Sequence, residues 1–248
     1  MRPGDFIKFR LFRPLLLKIG AGMGKYSTVG DKPVFDNKDF EWTKLLEENW
    51  LAIRKELEDI LANHQQFPSL QDIQKEQIVL NQDNNWKTYF LFGFGQKAIK
   101  NCEMCPFTAS LLEHIPDMKT AFFSILSPGK HIPAHKGVFK GLIRSHLGLI
   151  IPGKKGDCLM RIDNQKVFWE EGKAVVFDDT YEHEVWNNSN EVRVVLLIDI
   201  VRPFKSPLAA INRGIINIIS KSFFVKNARK NYQEWEEKYY ALNDGVKK

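Results

Sequence analysis

The spacing of apolar positions along the chain changes twice. From Asp39 to about His64, Phe40, Leu45, Leu46, Trp50, Ile53, Leu57, Ile60 and Leu61 recur near i, i+3, i+4 and i+7, the period of an amphipathic helix. Residues 65–118 are mixed. Trp86–Phe94 (WKTYFLFGF) reads as a strand with a glycine-broken end, and Pro106–His114 as a short helix. From Thr120 to Val201 the apolar runs shorten to AFFSIL (121–126), HLGLII (146–151), CLMRI (158–162), KVFW (166–169), KAVVF (173–177), HEVW (183–186) and VRVVLLIDIV (192–201). Turn residues separate them: Ser127-Pro128-Gly129, Pro152-Gly153, Asp163-Asn164, Glu171-Gly172 and Asn187-Asn188-Ser189-Asn190. Many short strands with close turns predict an all-β sandwich or barrel. The tail returns to helix, with Leu208–Ser220 apolar on one side and a polar segment over Asn227–Tyr240. The chain therefore divides into an N-terminal arm (1–38), a helical and mixed part (39–118), a β core (119–204) and a C-terminal helical extension (205–248).

Composition adds a core and a charge asymmetry. With 248 residues, 44% of them hydrophobic and 18 of them Phe, the chain can bury a sizeable core. The net charge is +6, yet residues 1–30 hold six basic residues against the single acid Asp5. The remainder is close to neutral, which argues against a nucleic-acid-binding body and leaves a local attraction to an anionic surface. Phe6–Ile19 (FIKFRLFRPLLLKI) is shorter than the roughly 18 apolar residues of a membrane span, carries four basic residues and Pro14, and lacks a small-residue cleavage site. It resembles an interfacial segment lying on a membrane; an arm packed on the domain with its charges in water fits equally well. Three cysteines, Cys102, Cys105 and Cys158, are an odd number and suit a reducing compartment. Cys102 and Cys105 have the spacing of a zinc half-site, but no second pair completes it, so they read as plain thiols.

Candidate chemistry gathers in the β region, which holds His131, His135, His146 and His183, four of the six histidines. Neutral imidazoles at strand ends suit iron, zinc or copper, although a core histidine is more often a hydrogen-bonded packing residue. Order sharpens the reading: His183 lies 48 residues after His135, and Arg193 follows ten residues later inside an apolar strand. A buried arginine needs an anionic partner. A carboxylate-bearing ligand in the barrel would supply one, as would an internal ion pair with Asp199 or Asp178.

The motifs Ser127-Pro128-Gly129-Lys130-His131, Pro133-Ala134-His135-Lys136-Gly137, Arg144-Ser145-His146-Leu147-Gly148-Leu149, Trp169-Glu170-Glu171-Gly172-Lys173 and Phe177–Trp186, followed by Arg193, resemble the aspartyl/asparaginyl β-hydroxylase family over about residues 84–203. The resemblance implies a mainly β fold with flanking helices around a double-stranded β-helix (jelly-roll) core. It implies Fe(II) and 2-oxoglutarate as cofactors and O2 as co-substrate. By position, His135 and His183 match the iron ligands, and Ser124, Arg144, His146 and Arg193 the residues around 2-oxoglutarate. The carboxylate that most related oxygenases place two residues after the first histidine is here Gly137, so the metal keeps an open position. Asp179, near His183, is the candidate to hold a water there; a halide in the vacancy would instead give a halogenase.

The family's substrates include Asp and Asn side chains of peptides, and its bacterial relatives hydroxylate acyl chains of lipid A or ornithine lipids. The basic, apolar arm and the C-terminal helix, with Leu208, Ile211, Ile215, Ile216, Ile218 and Ile219 beside Arg213 and Lys221, favour a lipid. The expectation is a cytoplasmic enzyme peripheral to the inner membrane through residues 1–30, with no nucleic-acid partner. A catalytically silent jelly-roll binding module is the competing class.

Overall fold

The computed structural model describes residues 3–63, 67–73 and 83–244, with side chains from Pro14 onward in the first helix. Ten strands form two antiparallel sheets. The larger contains β1 (Trp86–Gly93), β2 (Gln96–Lys97), β3 (Met118–Leu126), β5 (Leu142–Ile150), β8 (Ala174–Phe177) and β10 (Arg193–Val201), in the order β2-β1-β3-β10-β5-β8. The smaller is β4 (His131–His135), β9 (His183–Asn187), β6 (Cys158–Ile162) and β7 (Gln165–Phe168), in the order β4-β9-β6-β7. From β3 onward the chain crosses between the sheets at every step except the β6–β7 hairpin, the interleaved order of a double-stranded β-helix, and β1 and β2 extend the larger sheet. The expected mainly β core with flanking helices is what forms.

Central strand β10 is buried at all nine positions. Its alternation divides the interior in two. Val194, Leu196, Ile198 and Ile200 face a core with Leu46, Ile53, Leu57 and Leu112 from the N-terminal helices. Val195 faces the space between the sheets with Leu126, Met160, Ile162, Phe177 and Val185. At about 1.5–3 kcal/mol per fully buried side chain, this two-sided burial makes β10 the best-anchored strand.

One local expectation changes, and one strand forms where no apolar run marked it. The helical zone starting at Asp39 is broken at Asn49 into α2 (Trp42–Glu48) and α3 (Trp50–Asn63), because the Asn49 side chain donates to the Leu45 carbonyl at 2.8 Å and competes with helix propagation. His64 lies outside the described residues. The segment ending at His135 is a strand, although Pro133 interrupts its apolar pattern. As β4 is an edge strand, a missing ladder donor is tolerated there. Between β2 and β3 lie α5 (Ile99–Met104) and α6 (Pro106–Glu113), and α4 (Leu70–Ile73) precedes β1. Cys102, Cys105 and Cys158 are buried, free thiols, and burial pushes Cys102 up to about 11.

The N-terminal arm is helix α1 (Pro3–Gly24), and its C-terminal half packs on the domain through Leu16 and Met23. The side chains of Phe6, Ile7, Phe9, Leu11 and Phe12 lie outside the described residues. The tail forms α7 (Leu208–Ser220) and α8 (Phe223–Asp244). Among the described residues no single helix is long and apolar enough to cross a membrane; α7 and α8 reach that length and composition only as a pair bent by 53°.

Candidate metal and carboxylate site

His135 ends β4 and His183 begins β9, and the register sets them directly opposite each other. Their rings lie 4.1 Å apart, centroid to centroid. Each Nδ1 faces a backbone carbonyl, Pro133 O at 2.8 Å for His135 and Tyr181 O at 2.9 Å for His183. A carbonyl only accepts, so each Nδ1 carries the proton and each Nε2 keeps its lone pair, the tautomer a metal requires. Burial and the neighbouring His135 hold His183 down to about 3, so it stays neutral and able to ligate across the physiological range. Among the described residues no group of three or more His, Cys, Asp or Glu could hold a metal. The donor set is this histidine pair.

Gly137 stands where related oxygenases carry their carboxylate, and the structure shows why a side chain is excluded. A Cβ on Gly137 would lie 2.3 Å from Asp179 Oδ1 and 2.6 Å from Oδ2. The Asp179 carboxylate therefore fills the space next to Gly137, delivered from the turn before β9, and the Gly137 N–H donates to the Asp179 carbonyl at 2.7 Å. Burial raises Asp179 to about 6 against the opposing pull of Arg144, whose Nη1 lies 3.1 Å from Oδ2.

Next to the histidines the space between the sheets holds His146 together with Arg193 and Arg144. Arg193 is 1% exposed, and its Nε and Nη1 have no partner. Its guanidinium stacks 4.5 Å from the Trp169 ring, and burial lowers its pKa to about 10. The ion pair with Asp199 or Asp178 does not form. Asp199 is engaged by Arg144 through Nε at 2.8 Å and Nη2 at 3.0 Å, and Asp178 by Arg202 and Lys140. His146 is buried with both ring nitrogens unpartnered, held neutral by burial and by the charges of Arg193 and Arg144. Ser124, opposite Val195, is buried and accepts from Trp86 Nε1 at 3.0 Å. The Thr88 hydroxyl, opposite Ser124, is also buried without a partner.

A buried arginine, imidazole and hydroxyl with polar atoms that nothing among the described residues satisfies are costly and fit an anionic, oxygen-rich ligand. All seven sequence candidates, His135, His183, Asp179, Ser124, Arg144, His146 and Arg193, belong to the same interior. Arg144 differs in kind, since Asp199 and Asp179 already occupy its guanidinium. His131 is set apart, stacked on Trp186 at 4.8 Å and bonded to Glu184. The sequence reading missed Trp86 and Thr88, whose only signal is alternation along β1, and assigned no role to Trp169.

A double-stranded β-helix with two facing histidines beside a buried, unpaired arginine is consistent with a metal-dependent oxygenase. The chain belongs to the aspartyl/asparaginyl β-hydroxylase family, whose sequence pattern matches residues 47–203. It is 44% identical to the ornithine lipid ester-linked acyl 2-hydroxylase of Rhizobium tropici, over 88% of this chain and 77% of that protein. It is 34% identical to human aspartyl/asparaginyl beta-hydroxylase over 67% of this chain, but spans only 22% of the human protein's length. A cupin domain of a transcriptional regulator from Enterobacter cloacae overlaps 47% of this chain and 96% of its own, at 17% identity and a TM-score of 0.33. That likeness is too partial to add to the strand order.

Proposed function

We propose that the protein is an Fe(II)- and 2-oxoglutarate-dependent dioxygenase that hydroxylates an unactivated C–H on an acyl chain of a membrane lipid. The observation that carries the reading is Arg193, a buried cation without an internal anion, set with neutral His146 beside a pair of histidines in the metal-binding tautomer. His135 and His183 would hold iron through Nε2. Arg193 and Ser124 would take the far carboxylate of 2-oxoglutarate, and His146 would donate to its oxygens. Arg144, braced by Asp199, orients Asp179 beside the position that Gly137 leaves open, where Asp179 would accept a hydrogen bond from water. Bound iron, with 2-oxoglutarate and O2, supplies the oxidant that converts C–H to C–OH while 2-oxoglutarate leaves as succinate and CO2. Trp169, Phe177 and Met160 keep the interior dry.

A lipid substrate is supported by the Rhizobium relative, which matches most of both chains; the human relative matches a fifth of its own length. In this reading the enzyme works in the cytoplasm, peripherally on the inner membrane through residues 1–30. Protein prepared without oxygen should bind one Fe(II) per chain, convert 2-oxoglutarate to succinate, and add one oxygen to an ornithine-lipid or lipid A acyl chain by mass spectrometry. His135→Ala and His183→Ala should abolish both iron binding and succinate formation. Near-normal succinate from either variant removes that histidine from the metal. Hydroxylation of an Asp- or Asn-containing peptide and not of lipid would redirect the substrate assignment, and no succinate at all would leave a binding module.

A further inference from the structure

Helix α7 is apolar on two sides, and only one of them is covered. Asn212 and Ile216 face inward, where Ile216 meets Leu16 of α1, Phe139 and Val201. Ile211 and Ile218 stand on a second side, 49% and 64% exposed, with half-buried Leu208 and Ile215 between them and the covered side. Helix α1 continues the pattern. Beside its buried Leu16 stand Leu15, 53% exposed, and Ile19, 36% exposed. Half-buried Ile215 and Ile219 pack on the same small cluster as Leu16, so the two helices flank one seam and leave apolar side chains in water along its rim.

The charge of this region is as one-sided as its surface is apolar. Residues 1–30 and 205–221 together hold nine basic residues and one acid, Asp5. That excess is larger than the net +6 of the whole chain, so everything else is net negative. Lys18, Lys25, Lys205, Arg213 and Lys221 are exposed. A second copy of the same face would meet it with like charge, which opposes a symmetric dimer. An anionic bilayer complements both the charge and the exposed aliphatic side chains.

The seam also reaches the loop that follows His135. Gly20 and Gly24, one helical turn apart on α1, lie against Lys140: a Cβ on Gly20 would come 2.9 Å from Lys140 Cβ, and one on Gly24 would come 2.6 Å from its Cδ. Lys140 follows His135 and Gly137 in the next loop. Its Nζ pairs with Asp31 and with Asp178 at 3.2 Å and sits 4.3 Å from the Tyr181 ring centroid. Asp178 and Tyr181 flank Asp179, and the Tyr181 carbonyl orients His183. Glycines at 20 and 24 bring the helix close enough to hold this lysine.

We propose that α1 and α7 together form one docking surface for an anionic lipid bilayer, with the α7 stripe as its second half, and that the Gly20–Gly24 contact with Lys140 sets the histidine loops beside that bilayer. The lipid-substrate reading gives the surface its purpose, but docking is measured without turnover. The test is co-sedimentation of the full chain with vesicles of equal phosphatidylglycerol and phosphatidylcholine, and with phosphatidylcholine alone. Wild type should sediment with the anionic vesicles, weakly with the neutral ones, and be partly released by salt. Ile211→Glu with Ile218→Glu should weaken vesicle binding at least tenfold while leaving succinate formation and the far-ultraviolet circular dichroism unchanged. The paired leucine substitutions should bind as wild type. Glutamate variants that bind like wild type overturn the proposal. So does a concentration-dependent dimer, seen by light scattering, that those variants dissolve. Docking without any lipid product would count against the substrate alone, and lipid hydroxylation in detergent without docking would count against the surface alone.

Discussion

Replacing Arg193 with methionine should make the ligand-free protein more stable and the enzyme nearly blind to 2-oxoglutarate. The two effects have one origin. Arg193 is buried, two of its nitrogens have no partner, and both aspartates that could pair with it belong to other cations. Burial takes its pKa from 12.5 to about 10, which corresponds to roughly 3 kcal/mol of unreturned hydration. Methionine keeps a long chain over Trp169 without the charge. It loses the stacking with that ring, worth about 0.5–2 kcal/mol, so the net gain should be on the order of 1–2 kcal/mol. With 2-oxoglutarate bound the sign reverses. Loss of a buried charge-assisted partner costs about 2–5 kcal/mol, roughly a 30- to several-thousand-fold rise in the 2-oxoglutarate requirement. Urea unfolding of both proteins, with and without 2-oxoglutarate and iron under nitrogen, reads both quantities. A destabilised methionine variant that still gains stability from 2-oxoglutarate, with its requirement changed less than about threefold, would show that Arg193 is a structural residue and refute the reasoning.

The glycine at 137 can be tested by adding atoms. Gly137→Ala should displace the Asp179 carboxylate, lower stability by about 1–3 kcal/mol as an overpacked site and reduce succinate formation. Gly137→Asp should fail to restore it; an alanine variant as active as wild type would mean that Asp179 does not need its place. His146 and His183 are buried neutral, with folded-state pKa values below the ordinary 6.5 and that of His183 near 3. Below about pH 6.5 the unfolded chain therefore binds more protons, and stability of the metal-free protein should fall toward pH 3 by up to about 1.4 kcal/mol per pH unit for each group. Denaturant midpoints across that range check this, and His146→Leu should flatten the slope. Removing residues 1–13 deletes Arg2, Lys8, Arg10 and Arg13 with Asp5 yet spares Gly20 and Gly24. It should cut binding to anionic vesicles by tenfold or more, at about 1 kcal/mol per basic residue near the surface, and leave iron binding intact. Unchanged sedimentation would remove this segment from the docking surface.

The strands from Cys158 to Val201 were legible almost residue by residue along the chain, because each is a short apolar or alternating run bounded by turn residues such as Gly, Pro, Asn or Asp. The sequence also pointed to His135, His183, Arg144, His146 and Arg193 through ordered motifs and to Ser124 by position, as candidates. It could not show that Asn49 breaks a helix whose apolar period runs straight through it, or that β4 is a strand despite Pro133, because β4 depends on pairing with β9 and not on its own pattern. Partner choice was equally hidden. Arg193 and Arg202 are buried and Arg144 is half-buried, each near Asp178, Asp179 or Asp199, and one-dimensional spacing fits several pairings. Only the register of β5 on β10, Arg144 opposite Asp199, and the burial of Arg202 on Asp178 use up the anions and leave Arg193 without one. The close fit of Asp179 over Gly137, and of Gly20 and Gly24 over Lys140, joins residues 42 and about 120 positions apart. Such contacts are set by how sheets and helices stack in space, and a periodicity along the chain carries no record of them.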